Sequence, residues 1–186
     1  VSEQTVSARV SDKAARPFLY VVVCAAGVAE GVGGLIDAAL ARGWEVGAIA
    51  TPVAMGGFFD VTAVEARTGR PVRSAWRTPA DPRPFPAPDA VVVAPATFNT
   101  INKWAAGLAD TLAVATLCEA CGLGVPVAVL PCVADALACH PAYRESLTRL
   151  RGMGVRFGDP YPGEPGEDGG RPEFGWERAL DLVERR

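Results

Sequence analysis

Apolar and polar positions fall in alternating blocks along the chain. Residues 19–24 (Leu-Tyr-Val-Val-Val-Cys) form a continuous apolar run, which predicts a strand covered on both faces. Glycines 27, 31, 33 and 34 follow, then helical spacing over 35–42 stopped by Gly43. The pattern then repeats. It predicts a strand over 44–50, short helical pieces over 53–59 and 61–67, and a short strand over 71–75. Residues 78–88 hold five prolines in eleven positions, which excludes a helix and predicts an extended loop. Further strands are expected over 89–94, 125–130 and 155–157. One long Ala- and Leu-rich helix is expected over 99–117, and a largely helical stretch over 135–151 with Pro141 near the start of its main part. The chain closes with an amphipathic helix over 176–185.

Alternating buried strands and helices predict an α/β fold: a three-layer, doubly wound parallel sheet with helices on both faces. The expected organisation is a disordered tail over 1–16, an α/β domain over 17–157, a mobile Gly/Pro/acidic loop over 158–175 and a terminal helix over 176–186. Ligands of such folds bind outside the C-terminal strand ends. Segments 24–34, 51–59, 95–103 and 131–141 are therefore where chemistry is expected.

Composition narrows the class. With 186 residues, 49% apolar and 21% charged, the chain has ample apolar surface for one core. A formal charge of −3 without a Lys/Arg block argues against nucleic-acid binding. The longest apolar runs, 91–96 and 125–130, fall far short of the ~20 residues that span a bilayer. Residues 1–16 carry charge and no apolar centre, unlike a signal peptide. The five cysteines then read as reduced thiols of a cytoplasmic protein, with no membrane partner expected.

The first loop, Cys24 to Gly34, is rich in small residues that let backbone N–H groups approach a ligand. It lacks the G-x-G-x-x-G spacing and a P-loop lysine, and a tight strand–helix turn is the competing reading. Thr51 could hold a phosphate or cap a helix. Residues 95–110 read PATFNTINKWAAGLAD. Asn and Thr side chains beside free backbone donors suit a polar heterocycle, and a capping Asn accounts for them equally well. No cluster of metal ligands is seen.

Pro95-Ala96-Thr97-Phe98-Asn99-Thr100 keeps four of six positions of the motif P-A-S-A-N-T, and Lys103 with Gly107-Leu108-Ala109-Asp110 fits its continuation. The stretch resembles the flavin motif of the homo-oligomeric flavin-containing cysteine decarboxylases, which include phosphopantothenoylcysteine decarboxylase and lantibiotic-type enzymes acting on peptide C-terminal cysteines. The loop at Ala26-Gly27-Val28-Ala29 is similar to the family's G-S-x-A-A, and the run from Thr51 through Phe58 to Val72 is similar to its second segment. The resemblance covers about residues 19–157.

The resemblance implies a Rossmann-like, flavodoxin-like flavoprotein with FMN as cofactor. Ala26, Gly27, Val28 and Thr51 would face the phosphate and ribityl chain. Pro95, Ala96, Thr97, Asn99 and Thr100 would lie along the isoalloxazine. It further implies a homo-oligomer, a trimer or a dodecamer of trimers, with flavin at a subunit interface. Phe58 and Phe59 would then contact a neighbouring ring, or simply belong to the core.

The chain also departs from that family. Asp81, eight residues before Asp89, stands where the family carries its catalytic His, and His140 is the only histidine. Asp81 is the catalytic candidate at that position, but a carboxylate there would need burial to work as a base near neutral pH. Ala134 stands where an Asn would hold the substrate carboxylate, with Asp135 beside it as a substitute substrate contact. The region 158–175 has no cysteine. His140 is expected to cap or pack, Cys118 and Cys121 to pack, and Cys132 and Cys139 to lie in the substrate loop. The ligand loops carry no Arg/Lys cluster, against a relative that uses a prenyl phosphate. Two functions follow. One is an FMN-dependent oxidative decarboxylase (a lyase) of a thiol-bearing carboxylate. The other is a flavin-binding regulatory or partner subunit without catalysis.

Overall fold

The computed structural model describes residues 16–159 and 173–185. The expected N-terminal tail and most of the loop expected over 158–175 lie outside the described residues. Five parallel strands form one sheet: β1 (Phe18–Val23), β2 (Glu45–Ala50), β3 (Ala90–Ala96), β4 (Val127–Pro131) and β5 (Arg156–Phe157). Their spatial order is β2-β1-β3-β4-β5, with every pairing parallel. This is the expected doubly wound α/β architecture.

Alternation along β1 divides the core. Leu19, Val21 and Val23 face one layer, built on α1 (Val32–Ala41), α2 (Val61–Thr68) and the C-terminal α7 (Glu177–Glu184). Phe18, Val22 and Cys24 face the other, built on α3 (Phe98–Ala106), α4 (Leu112–Gly122) and α6 (Pro141–Gly152). A four-residue helix, α5 (Asp135–Ala138), follows β4. No helix among the described residues is long and apolar enough to cross a membrane.

Three expectations change. The single helix over 99–117 is two helices. Gly107 at φ 72° ends α3, and the Thr111 hydroxyl accepts from Val114 N to start α4. Lys103 pairs with Asp110 across the break. Apolar spacing runs on through 107–111, so periodicity alone joins the two helices, whereas a left-handed residue cannot continue an α-helix. The strand expected over 71–75 is a single bridge between Ile49 and Arg73, because the proline-rich run carries the chain away from the β2 edge. Phe174, expected in a mobile loop, is buried against Trp176 with ring centroids 4.5 Å apart.

Helices of the second layer cover β1 and β2 only in part, with α4 reaching β2, and the Pro-rich loop completes the cover. Phe85 packs on Phe18 and Tyr20 at 6.0 and 5.7 Å. The Tyr20 hydroxyl donates to Pro86 O at 2.7 Å. Gly47 is required beneath this contact, since a Cβ there would lie 2.9 Å from the Phe85 ring.

On the opposite layer, Arg42 donates to Glu177, Asp181 and Glu184 at 2.9–3.0 Å, while Leu180 is fully buried. All three carboxylates are substantially exposed, so packing should hold α7 more firmly than charge does. Leu180→Ala is expected to lower stability by about 2–5 kcal/mol. Arg42→Gln is expected to lower it by about 1 kcal/mol. Urea unfolding of the two variants checks the order.

Candidate functional site

The chain leaves β1 toward β2 on one side and returns to β3 on the other, which opens a crevice at their C-terminal ends. The loop at 24–26 and a 3-10 turn (Gly27–Gly31) form one wall. The end of β3 and the first turn of α3 form the other. Cys24 joins them. Its N–H donates to Pro95 O at 3.2 Å, and its thiol donates to the Thr100 hydroxyl at 3.3 Å. Thr100 also shares a hydrogen bond of 3.2 Å with the Thr97 hydroxyl. Burial pushes the Cys24 thiol up, partly offset by hydrogen bonds with Thr100 and Thr97. A fully buried, protonated thiol is a structural donor here, not a nucleophile.

This linkage sorts the residues expected around a ligand. Pro95, Ala96 and Thr100 are buried. The Pro95 and Ala96 carbonyls accept from Cys24 N and Cys132 N, so they tie the loops after β1 and β4 to β3. Thr97 and Ala26 are half-buried, and Asn99 and Gly27 are exposed. Val28 is half-buried. Nothing lies within 4 Å of where a Gly27 Cβ would point, whereas Gly31, at the end of the same turn, meets the Trp176 ring at 3.0 Å. The crevice is thus open at Gly27 and closed at Gly31. Thr51 is held by its N–H to Val23 O at 3.0 Å, and its carbonyl accepts from Ala54 and Met55.

Helix capping follows a pattern that sequence reading missed. The helical turns directly after β1, β2, β3 and β4 begin at Ala26, Val53, Thr97 and Ala134, and none receives a side-chain cap. Helices α2, α4 and α6, farther along the chain, are capped by Asp60, Thr111 and His140. Three of the uncapped positions have no side-chain acceptor, and the Thr97 hydroxyl is turned to Thr100. After β2 the Thr51 and Val53 carbonyls take the N–H groups of Ala54, Met55 and Gly56, so it is the first turns after β1, β3 and β4 that keep N–H groups for another acceptor. A visible signal was the absence of Ser, Asp or Asn at 26, 53 and 134. The Cys24–Thr100 contact, 76 residues apart in sequence, had no local signal.

The departing residues are also placed. Asp81 is exposed on the Pro-rich loop. Its carboxylate accepts from Thr78 N at 2.7 Å, and this bond, aided by Arg73 and Arg77, holds it below the usual carboxylate range. The shift runs away from the neutral range a general base requires. Ala134 and Asp135 are exposed at the start of α5, and the Ala134 methyl offers no hydrogen bond. His140 caps α6, its Nδ1 accepting from Ala142 N at 3.1 Å, and meets the Phe98 ring edge-on at 5.9 Å. Cys132 is half-buried with its thiol pushed up by burial, and Cys139 is exposed. Phe59 is core, while Phe58, Met55, Val53 and Leu137 are exposed at the same edge of the sheet.

Thr100→Val keeps the side-chain shape and removes the hydroxyl shared by Cys24 and Thr97. Two hydrogen bonds lost at a buried position should cost about 1–3 kcal/mol. Denaturant unfolding of this variant beside Thr97→Val, at a residue that is only half-buried, should show the larger loss for Thr100.

The profile of the family described as Flavoprotein matches residues 19–174. Among curated proteins, the coenzyme A biosynthesis bifunctional protein CoaBC of Thermococcus kodakarensis is 36% identical over 72 residues, which are 39% of this chain and 18% of that protein. The match thus spans under a fifth of that relative's length. Among solved structures, the FMN-dependent cysteine decarboxylase SpaF is 26% identical, with a TM-score of 0.69 over 90% of this chain and 95% of that one. A dodecameric FMN-dependent Ubix-like decarboxylase from Escherichia coli O157:H7 shares the fold at 20% identity, with a TM-score of 0.65 over 88% and 92% of the two chains. With the family profile running from β1 to the residues that lead into α7, the chain belongs to the Flavoprotein family.

Proposed function

We propose that the crevice between β1 and β3 holds FMN, and that the chain is an oxidative decarboxylase of a cysteine-type carboxylate, with a peptide C-terminal cysteine as the leading substrate. The uncapped first turn of α3, beside the open face at Gly27, carries this reading. A dinucleotide-like half-molecule with a phosphate and a heterocycle rich in acceptors fits unpaired backbone donors at helix starts. The likeness to an FMN-dependent cysteine decarboxylase at 26% identity supports the same reading.

In this arrangement the N–H groups of Gly27 and Val28 and the Thr51 hydroxyl would donate to the phosphate and ribityl oxygens, with Ala26 held beside them by its N–H to Cys24 O. Thr97 and the exposed amide of Asn99 face the heterocycle. Pro95, Ala96 and Thr100 act from beneath, by fixing the turn that carries Asn99. Bound FMN supplies a hydride acceptor, so that oxidation at the thiol-bearing carbon creates the electron sink that lets carbon dioxide leave. The chain's own part is to orient the substrate and exclude water. Asp135, at the start of α5, stands on the substrate side of the crevice, and Ala134 leaves room there without binding a carboxylate.

Exposed Val53, Met55, Phe58 and Leu137 at this edge favour a homo-oligomer, a trimer or a dodecamer of trimers, in which Phe58 packs toward a neighbour's site. A second reading is a flavin-binding regulatory or partner subunit. It is favoured by the depressed carboxyl of Asp81 and by the methyl of Ala134, neither of which replaces the missing proton-transfer and carboxylate-binding groups.

The absorption spectrum of the purified protein tests both. Bands near ~375 and ~450 nm, with FMN released and identified by mass, are expected. Anaerobic mixing with a cysteine-ending peptide should then bleach the flavin. Retained colour across a panel of such peptides would favour the regulatory reading, and a colourless protein that takes up no FMN would remove both. Asp81→Asn is expected to change the bleaching rate less than about tenfold, where loss of a working general base costs about 10²–10⁴.

A further inference from the structure

A second concavity lies away from the crevice. The Pro-rich loop, the faces of β1 and β2 beneath it, and α4 enclose a cavity of about 580 Å³, within the ~300–1,000 Å³ range of small-molecule sites. It shares no lining residue with the segments around Gly27, Thr51 and Asn99.

Three arginines line it: Arg73, Arg77 and Arg83. Arg73 is fixed by its backbone, donating to Ala48 O at 2.9 Å and accepting from Ala50 N at 2.7 Å. Arg77 reaches back to the carbonyl of Asp81 at 3.1 Å. None of the three has a carboxylate within ion-pair distance among the described residues. Arg42, Arg67 and Arg70, by contrast, are all paired. Asp81, the carboxylate nearest in sequence, is bound to Thr78 N and does not line the cavity. Glu119 is the single acid in the lining. The lining thus carries three positive side chains against one negative, with Asp81 of the same loop facing the field of Arg73 and Arg77 from outside it.

Between the charges the walls are aromatic and apolar. Phe85 is buried and Trp76 is 61% exposed, with Tyr20 and Leu123 beside them in the lining. Arg73 and Arg77 donate only to backbone carbonyls, of Ala75, Thr78 and Asp81. An exposed tryptophan beside guanidinium groups that lack an ion-pair partner is an uncommon surface to leave to water, because both bind planar or apolar groups well. Guanidinium forks match carboxylate oxygens two at a time.

We propose that this cavity binds a carboxylate-bearing ligand with an aromatic or apolar body, supplied as a free acid or as an acidic peptide segment. Isothermal titration of the purified protein, with whatever cofactor it retains, separates the sources. One pair of probes is phenylbutyrate and its neutral amide. The other is acetyl-Phe-Glu-Glu-Phe-amide and the same peptide with Gln for Glu. At least one carboxylate probe is expected to bind about tenfold or more tighter than its neutral partner. Preference for phenylbutyrate identifies the free acid as the source, and preference for the Glu peptide identifies the peptide. The double variant Arg77→Gln/Arg83→Gln should abolish the preference while leaving the melting curve and the flavin content unchanged. Four results would overturn the proposal: binding by no carboxylate probe, equal binding of neutral and charged partners, a preference that survives the double variant, or occupation by inorganic phosphate with no carboxylate bound. A colourless protein that passes this test would leave the cavity assignment standing while the flavin reading falls.

Discussion

Everything at the C-terminal edge of the sheet depends on β1 having hydrogen-bonded neighbours on both sides. β2 and β3 both pair with it in parallel, so the connections after β1 and β3 must diverge, and a crevice opens between them. A crevice alone would be a weak point in the core. Cys24 closes its floor by bonding at once to the Pro95 carbonyl and the Thr100 hydroxyl. The floor is therefore built from buried, satisfied groups. The rim keeps its unsatisfied donors, and this division between a rigid base and an open polar rim is what a bound heterocycle needs.

The electrostatics of the rim follow from which helices are capped. An Asn, Asp or Ser at 26 or 134 would stabilise its helix start and, by the same hydrogen bonds, consume the donors a ligand uses. The sequence places Ala at both, and the one hydroxyl present, on Thr97, is drawn inward by Thr100. Stability given up at these three turns fits a ligand that supplies the missing acceptors. The same logic separates His140 from catalysis. Its Nδ1 is engaged as a cap on α6, and its ring packs edge-on against Phe98 in the first turn of α3.

Strands were legible because burial on both faces leaves an unbroken apolar signature, as in 19–24 and 125–130. The break between α3 and α4 was not. Its determinants are the left-handed backbone at Gly107 and the Thr111 cap, which compete with a spacing that still looks helical. At the candidate site, the motif from Pro95 to Thr100 marked a segment at a strand end without ordering the residues inside it. Exposure splits that segment into outward Thr97 and Asn99 and inward Pro95, Ala96 and Thr100. That split depends on Cys24, far away in sequence. The arginine cluster was hidden for a similar reason: Arg73, Arg77 and Arg83 fall outside the segments that open at strand ends, and only the path of the Pro-rich loop brings them together.

That loop answers a packing problem and creates a chemical consequence. Helix α4 reaches β2 but leaves part of the β1–β2 half of the second layer open, so Phe85 covers it, and Gly47 provides the room for its ring. Proline stiffens the loop without needing backbone donors, which suits a segment whose hydrogen bonds to the sheet are few. A stiff, largely non-pairing segment that anchors at Phe85 cannot also bury its charges. Arg73, Arg77 and Arg83 are left at the edge of the space it encloses, where Glu119 is the one acid in the lining and Asp81 acts from outside it. Covering part of the core with a loop in place of a helix thus turns a sheet face into a charged, aromatic-walled cavity, separate from the crevice that β1 opens.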